Sequence, residues 1–509
     1  MHTSHMHAHS DAPPLTSLQP AAHRERFLHL QTTARHAGTS DPTTRTNSIL
    51  ALLEAYRNAA EHISLLPHDW DLFLALETRL AAATSPLTPE SLHALLDLHK
   101  NATTHYTSTG LIKRFISFVL AYFAQLHGVE IPLSTSEGSV EDPALKWTTL
   151  DGCPTFDSAT SLYTPSLPSL AANNTADLSA WEPVLGVEAV RWRIREAYTR
   201  CAYQLSESQD VWKLYLAFEE SLLSSPHVAR DQQLETVRHV YLAHLRVPHS
   251  AIEDTFQAYS QFVTHNMPPQ QYEGEMTAAN SLVAESRNVL RQREQFEDSL
   301  TSLLRAGPTH GAGSRQDLDN FGAYIKPYLR WQSGRATRAL RGKDKAAAQT
   351  ELDLTCSLYE RLIPYFGLHP PSTHRDELVY YSDDVQGSEH YPRQFKRFSQ
   401  PEREARVQQE QQLYTERLAL ATDLWLDYIS ILTSAGKPDA SLIMDVLARS
   451  VHCLPTAVSL YCGLMRSSAR FRRSKPQVEA IFEKVVSPGA LNLTATDLTD
   501  LCLARVDCE

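Results

Sequence analysis

The sequence predicts an all-α protein, built as a superhelical solenoid of paired helices, on three observations. An aromatic or large apolar residue is followed three positions later by another at seven places in the 509-residue chain. Glycine is scarce, with 18 residues, and no sustained alternation of Val, Ile or Thr marks β-strands. Hydrophobic residues make up 42% of the chain, enough for a continuous core. The length allows two to four compact domains or one extended solenoid, and the repetition favours the solenoid.

The repeated pairs predict the first helix of each unit, because residues at i and i+3 share one helix face. Three intervals between successive pairs are 36, 42 and 44 residues, and the longer intervals contain polar or Pro-rich inserts, which helical-hairpin arrays tolerate. In two copies a carboxylate follows at i+7. The pairs are Trp70/Phe73, Ile112/Phe115, Trp212/Tyr215, Phe256/Tyr259, Phe321/Tyr324, Trp425/Tyr428 and Tyr461/Leu464, and the carboxylates are Glu77 and Glu219.

A second pattern predicts the second helix of each unit. It reads apolar, aromatic or Leu, any residue, basic, then small or apolar. Pro248 or Pro455 then ends the helix, because proline cannot continue it. The pattern occurs at residues 197–201, 240–241, 358–362, 447–450 and 481–485, with Tyr359, Arg361 and Arg449 among its members.

These residues resemble the half-a-TPR (HAT) repeat, whose first helix reads W-x2-Y-x3-E and whose second ends in a Y-x-R-A-like segment before a proline. Residues 237–259 and 423–455 are similar to the HAT region of the U4/U6 snRNP recycling factors, the family of the squamous cell carcinoma antigen recognised by T cells and its fungal annealing counterpart. The resemblance covers roughly residues 46 to 509 and implies a HAT solenoid in two blocks.

The resemblance implies a nuclear protein-interaction scaffold of a pre-mRNA splicing factor that promotes re-annealing of U4 with U6 small nuclear RNA. The implied partners are spliceosomal snRNP proteins, U4/U6 RNA reached indirectly or through downstream domains, and a second copy bound through the C-terminal block. HAT scaffolds also occur in mRNA 3′-end processing and in the U1 particle. A scaffold of one of these two systems is the alternative function. A helical subunit of a prenyltransferase-type enzyme is a third interpretation, and it requires a catalytic partner chain.

The aromatic pairs are expected to lie in the core, and the i+7 carboxylates are expected to pair with helix neighbours inside the repeat. The predicted structural positions are Trp70, Phe73, Glu77, Trp212, Tyr215, Glu219, Phe256, Tyr259, Phe321, Tyr324, Tyr359, Arg361, Trp425, Tyr428, Arg449 and Pro455.

Composition predicts how residues 1–315 divide into a tail, a helical block and a linker. Residues 1–45 are rich in His, Ser, Thr, Ala and Pro and predict a disordered tail. Residues 46–304 form the predicted N-terminal block, with a polar insert at about 131–183. Residues 305–315 contain three glycines and a proline and predict a linker.

The predicted C-terminal block covers residues 316–509, with an insert at about 369–408. Leu498 and Leu501 repeat the first-helix spacing, but no second helix follows before Glu509. The block is therefore expected to stop inside a unit, as in a fragment of a longer protein.

Charge and motifs limit the function classes. A net charge of −12 speaks against nucleic-acid binding by bulk electrostatics, so RNA binding is expected outside this chain. Nucleotide-binding, zinc-protease and serine-hydrolase signatures are missing, which predicts no enzyme and no cofactor.

Seven scattered cysteines indicate a reducing compartment, and the histidines at 2, 5, 7 and 9 do not predict a metal site. Basic clusters at 326–345 and 466–475 are candidate nuclear-import or docking patches, and basic and aromatic residues at 391–398 weakly indicate RNA contact.

Overall fold

The computed structural model describes residues 42–84, 86–132, 178–224, 228–306, 315–365, 400–434, 439–472, 474–488 and 490–508, with Leu170 and eight residues between His23 and Ala34. These residues are helical apart from short connections and one isolated bridge between Leu87 and Leu170. The predicted all-α class is confirmed. None of the described helices has the length and apolar character needed to cross a membrane.

Eleven helices precede residue 307 in the described ranges. They are α1 Pro42–His62, α2 Pro67–Thr84, α3 Pro89–His105, α4 Thr109–His127, α5 Leu178–Leu185, α6 Val187–Cys201, α7 Ser208–Ser221, α8 Arg230–Arg246, α9 Ile252–Asn266, α10 Pro269–Arg291 and α11 Glu294–Ala306. A 3₁₀ turn, Leu222–Ser224, extends α7.

The remaining described helices follow from residue 315. They are α12 Arg315–Asn320, α13 Lys326–Leu340, α14 Lys345–Tyr365, α15 Gln400–Ser434, α16 Ala440–Cys453, α17 Val458–Ser467, α18 Lys475–Val486 and α19 Ala495–Val506. Two π-helical segments, Phe321–Ile325 and Ser468–Arg472, join α12 to α13 and continue α17.

Local sequence explains several helix ends. Thr88 and Thr494 each form a capping box, in which the threonine and the residue three positions later satisfy each other's backbone N–H groups. Asp439 accepts from the first N–H groups of α16. Gly128 ends α4 at a φ of 63°, a left-handed conformation that favours glycine.

Neighbouring helices pack in succession, and the core divides into four apolar clusters. The first joins the N-terminal helices from Phe27 to Leu111. The second runs from Leu87 to Val283, and the third contains residues 300 to 464 together with Tyr106. The fourth surrounds α17 and α19. Each unit thus buries its apolar face against its neighbours, as in a solenoid.

The predicted disordered tail needs a correction at its C-terminal end. Helix α1 already begins at Pro42, and described residues between His23 and Ala34 are helical. The Phe27 ring lies 4.4 Å from the Tyr56 ring, and Gln31 donates to the Tyr56 hydroxyl at 2.8 Å. Phe27, Leu30 and Ala34 are spaced three and four positions apart, so one short helix face is apolar. The other residues of 1–41 lie outside the described ranges.

Both predicted inserts are shorter than the sequence indicated. Helix α5 lies at the end of the first insert and buries Trp181, Val184 and Leu185, whose spacing fits one helix face. Helix α15 begins at Gln400, inside the second insert. The rest of the second insert, most of the first and residues 307–314 of the linker lie outside the described residues.

Candidate functional site

Most predicted repeat positions lie in the core. Phe256 is partly buried against it, and Arg449 is half-buried. The buried members are Trp70, Phe73, Glu77, Trp212, Tyr215, Glu219, Tyr259, Phe321, Tyr359, Arg361, Trp425, Tyr428 and Pro455. The aromatic pairs therefore hold helices together and leave few aromatic faces for ligands.

The prediction that Tyr324 lies in the core is wrong, because its side chain is 55% exposed. Phe321–Ile325 is a π-helix in which the Lys326 N–H donates to the Phe321 carbonyl, five residues back. Pro327 has no N–H and crowds the carbonyl four positions before it, so a regular turn is disfavoured there. Phe321, Ile325 and Tyr328 are buried at positions i, i+4 and i+7, which leaves Tyr324 at the edge of the buried face, and the wider turn rotates it further away.

The i+7 carboxylate Glu219 lies at the centre of a buried polar network. Arg191 of α6 donates to both of its oxygens at 2.8 and 2.9 Å. Gln233 of α8 donates to its carboxylate at 2.8 Å and its carbonyl at 2.7 Å. Glu188 also pairs with Arg191. Glu219 thus makes a hydrogen bond inside its own unit through Gln233, as the sequence predicted, and also ties that unit to the preceding one through Arg191.

Breaking this network is expected to destabilise the N-terminal block. Arg191→Ala leaves the fully buried Glu219 without its cation, and removal of one partner from a buried pair costs about 3–5 kcal/mol. Arg287→Ala is the matched control, because its pair with Glu253 is exposed and is worth at most about 1 kcal/mol. Urea denaturation measures both. Equal losses in the two variants would contradict the assignment.

The same arrangement recurs between the two predicted blocks, where Arg293 lies just before α11 and Gln332 and Glu351 lie on α13 and α14. Arg293 donates to Glu351 at 2.7 Å and to Gln332 at 3.1 Å. Gln332 donates to the Glu351 carboxylate at 3.0 Å and to its carbonyl at 3.3 Å. The order along the chain differs from that in the N-terminal block, since Gln332 precedes Glu351. Sequence patterns missed this recurrence because the three residues have no fixed spacing.

Two further units share a tyrosine, glutamate and arginine triad, and the first joins α11 of the predicted N-terminal block to α13 and α14. The Tyr328 hydroxyl donates to Glu297 at 2.6 Å, and Arg361 donates to the same carboxylate at 2.8 and 3.0 Å. In the next unit Glu360 takes the place of Glu297. In both, the carboxylate lies on an earlier helix than the tyrosine and the arginine, so each triad joins three helices.

Glu360 of α14 also receives a hydrogen bond from the N-terminal helices. Arg449 donates to its two oxygens at 3.0 and 2.6 Å, and the Tyr428 hydroxyl donates at 3.1 Å. Thr107, between α3 and α4, donates at 2.8 Å. Burial alone raises the pKa of the Glu360 carboxyl, but Arg449, Thr107 and Tyr428 together hold it below its usual value.

The contact around Thr107 is part of a larger seam between the N-terminal helices and α16. The Ser64 N–H donates to the His452 carbonyl at 2.9 Å, and His452 Nε2 lies 3.1 Å from the Ala60 carbonyl. Cys453 Sγ lies 3.3 Å from Ser64 Oγ, and the His105 and His452 rings are 4.7 Å apart. The chain therefore folds back, and α16 packs on residues almost 400 positions earlier.

Apolar packing supports the seam. Tyr106, which precedes Thr107, belongs to the same apolar cluster as Trp425, Ile363 and Leu454 of the C-terminal block. Its side chain is only 4% exposed. Because the seam combines apolar burial with the hydrogen bonds to Glu360, it fixes the position of the N-terminal helices against the C-terminal block.

The described surface carries a small number of exposed large apolar side chains. Trp192 of α6 is 57% exposed, and the Lys100 ammonium lies 4.8 Å from its ring centre. Helix α19 buries Leu501 and Ala504 but exposes Leu498, Leu503 and Val506. An apolar face of this kind is typical of a protein-interaction surface.

The described residues also contain a cleft beside the Arg191 network. Its volume is about 500 Å³, and its lining includes His127, Glu182, Glu188 and Gln232. Arg191 and Gln233 at its floor are already bonded to Glu219. In the part of the chain that the structure describes, no group of three or more His, Cys, Asp or Glu is placed to hold a metal ion.

Residues 187–339 match the model of a family described as Suppressor of forked protein (Suf). The matched stretch runs from α6 to the end of α13 and includes the Arg191, Glu219 and Gln233 network. The match supports HAT repeats in this part of the chain. No curated protein matches the chain.

Proposed function

We propose that this chain is a nuclear protein-interaction scaffold of mRNA 3′-end processing. The match to the Suf family carries the proposal, since that family is a HAT-repeat family involved in mRNA 3′-end processing. The buried Glu219, Glu297, Glu351 and Glu360 networks agree with a scaffold, because each carboxylate is bonded to an arginine of another helix.

A role in U4/U6 snRNP recycling is the second candidate, and a separate observation favours it. Of the two stretches that resemble the recycling factors, residues 237–259 lie inside the Suf match and so do not distinguish the families. Residues 423–455 lie outside it, on α15 and α16, and still carry the resemblance.

Affinity purification of the tagged full-length protein, with proteins and RNA both identified, distinguishes the two functions. Cleavage and polyadenylation proteins are expected if the first proposal holds. Recovery of U4 and U6 RNA with snRNP proteins, and no 3′-end factors, would replace it with the second. A catalytic partner subunit without RNA-processing proteins would contradict both.

We also propose a homodimer through the C-terminal block. The exposed Leu503 and Val506 on α19 support it, because two such faces bury each other in a symmetric contact. Light scattering after gel filtration is expected to show a dimer that Leu503→Glu with Val506→Glu converts to a monomer. Leu50→Glu, at a similarly exposed leucine of α1, is the control and is expected to leave the dimer intact. A monomeric unmodified chain at all concentrations contradicts the proposal.

A further inference from the structure

A row of exposed basic side chains follows one face of α13. Lys326, Arg330 and Arg338 lie on this face, and Arg341 continues it just past the end of the helix. Residues four apart on a helix are separated by about 6 Å along its axis, so the row extends over about 22 Å. Gly334 lies between Arg330 and Arg338, and no heavy atom lies within 4 Å of the position that a Cβ would take there.

Neighbouring carboxylates neutralise only the edges of this face. Asp427 of α15 interacts electrostatically with Lys326. Glu351 is bonded to Arg335, which lies beside the row. Asp344 caps α14, where it accepts from two backbone N–H groups.

The centre of the row has no such partner. Within the described ranges, none of the ion pairs involves Arg330, Arg338 or Arg341. Arg338 and Arg341 lie in and just after the last turn of α13, where the negative end of the helix dipole stabilises a positive charge. Arg330 lies in the middle of the helix, where the dipole does not explain its charge. The positive field of this face therefore remains available to a ligand.

Tyr324 stands at the N-terminal end of the same helix. Its ring is exposed in the π-helical turn before Pro327. Tyr324 and Lys326 are two positions apart and point to different sides of the helix, so the ring lies outside the basic row. A row of cations with few neutralising carboxylates attracts the phosphates of a nucleic acid.

We propose that this face, Lys326 to Arg341, binds the phosphate backbone of RNA. A protein partner fits less well, because interfaces depend on buried apolar anchors. Tyr324 is the one exposed large apolar residue among described residues 315–345. The contact is weak and independent of sequence, since the chain as a whole carries a charge of −12. It does not depend on which processing particle the scaffold serves.

Fluorescence anisotropy with the intact chain and a labelled oligouridine of about 15 nucleotides tests the proposal at low salt, about 50 mM. Arg330→Glu with Arg338→Glu is expected to weaken binding at least about tenfold and to lower the salt dependence by about one to two ion equivalents. Tyr324→Ala, which lies outside the row, is expected to leave both the affinity and the salt dependence nearly unchanged. Circular dichroism checks that each variant is folded.

Arg246→Glu with Arg291→Glu is the matched control. Both arginines are exposed, lie outside the face and change the net charge by the same amount. Retained binding in this control, with loss in the α13 variant, supports the proposal. Equal loss in both variants shows that bulk charge governs binding and overturns it. Absence of RNA binding by the unmodified chain overturns the proposal as well. Tighter binding of polyglutamate than of RNA also overturns it and indicates an acidic protein partner.

Discussion

Replacing Glu360 with alanine is expected to destabilise the C-terminal block by about 3–5 kcal/mol and to release the N-terminal helices from α16. The change leaves the half-buried Arg449 guanidinium without its carboxylate and removes the acceptor of the Tyr428 and Thr107 hydroxyls. Hydrogen exchange measured by mass spectrometry is expected to show faster exchange in α3 and α16 together.

Two further variants separate the seam from general destabilisation. Thr107→Val removes the Thr107–Glu360 hydrogen bond and leaves Arg449 and Tyr428 bonded to Glu360; loss of a bond to a charged group costs about 1.5–3 kcal/mol. Glu483→Ala, at an exposed position of α18, is the control. If Thr107→Val leaves exchange in α16 unchanged, this hydrogen bond does not help to hold the two parts together.

Acidification is the second change with a large expected effect. Burial lowers the pKa of His99 to about 3, with a smaller effect of Arg114, and burial with His452 and Arg449 lowers that of His105 to about 3. Burial lowers the pKa of His452 to about 4. Burial also depresses the pKa of His244, which stacks on Trp212 at 4.3 Å. These rings are therefore neutral in the folded protein.

The sign of the pH dependence follows from these shifts. An unfolded histidine binds a proton near its usual pKa of about 6.5, so the unfolded state takes up more protons below that pH. Stability is complete above about pH 6.5 and decreases as the pH falls toward 3 to 4. Thermal unfolding followed by circular dichroism is expected to show a falling midpoint over this window.

Replacing His99 tests most directly whether buried histidines cause the loss of stability at acidic pH. Both of its ring nitrogens are buried without a hydrogen-bond partner among the described residues, and its ring stacks on Phe118 at 4.1 Å. His99→Leu is expected to reduce the loss of stability between pH 6.5 and 4, because one buried proton acceptor is removed. The control, His265→Leu, changes an exposed ring. Identical pH profiles for the two variants would show that buried histidines do not govern the acid response.

Local periodicity was sufficient to predict the helical units. The i, i+3 spacing identifies Trp70, Trp212 and Trp425 as core residues, because one helix face determines what is buried. The i, i+3 rule fails at Tyr324, because the buried face follows Phe321, Ile325 and Tyr328 at positions i, i+4 and i+7. Ile325 was visible in the sequence as an apolar residue at i+4, and it is the signal by which this departure is recognisable.

Long-range contacts were not predictable in the same way. Thr107 and Glu360 are 253 positions apart, and a short polar residue after α3 carries no mark of its partner. Gln233, Glu297 and Glu351 likewise read as ordinary polar helix residues, and only packing brings each beside an arginine. The carboxylate networks and the seam are thus properties of the tertiary arrangement.

The packing of the N-terminal helices on α16 can be tested directly through Cys453. Its Sγ lies 3.3 Å from Ser64 Oγ although the residues are 389 positions apart. The Ser64→Cys variant is expected to form a disulfide between positions 64 and 453 rapidly and almost completely under mild oxidation, as mapped by peptide mass spectrometry. Ser441→Cys, on the exposed start of α16, is the control. If the Ser64→Cys disulfide forms no faster than the control's disulfides, the N-terminal helices do not pack on α16 in solution.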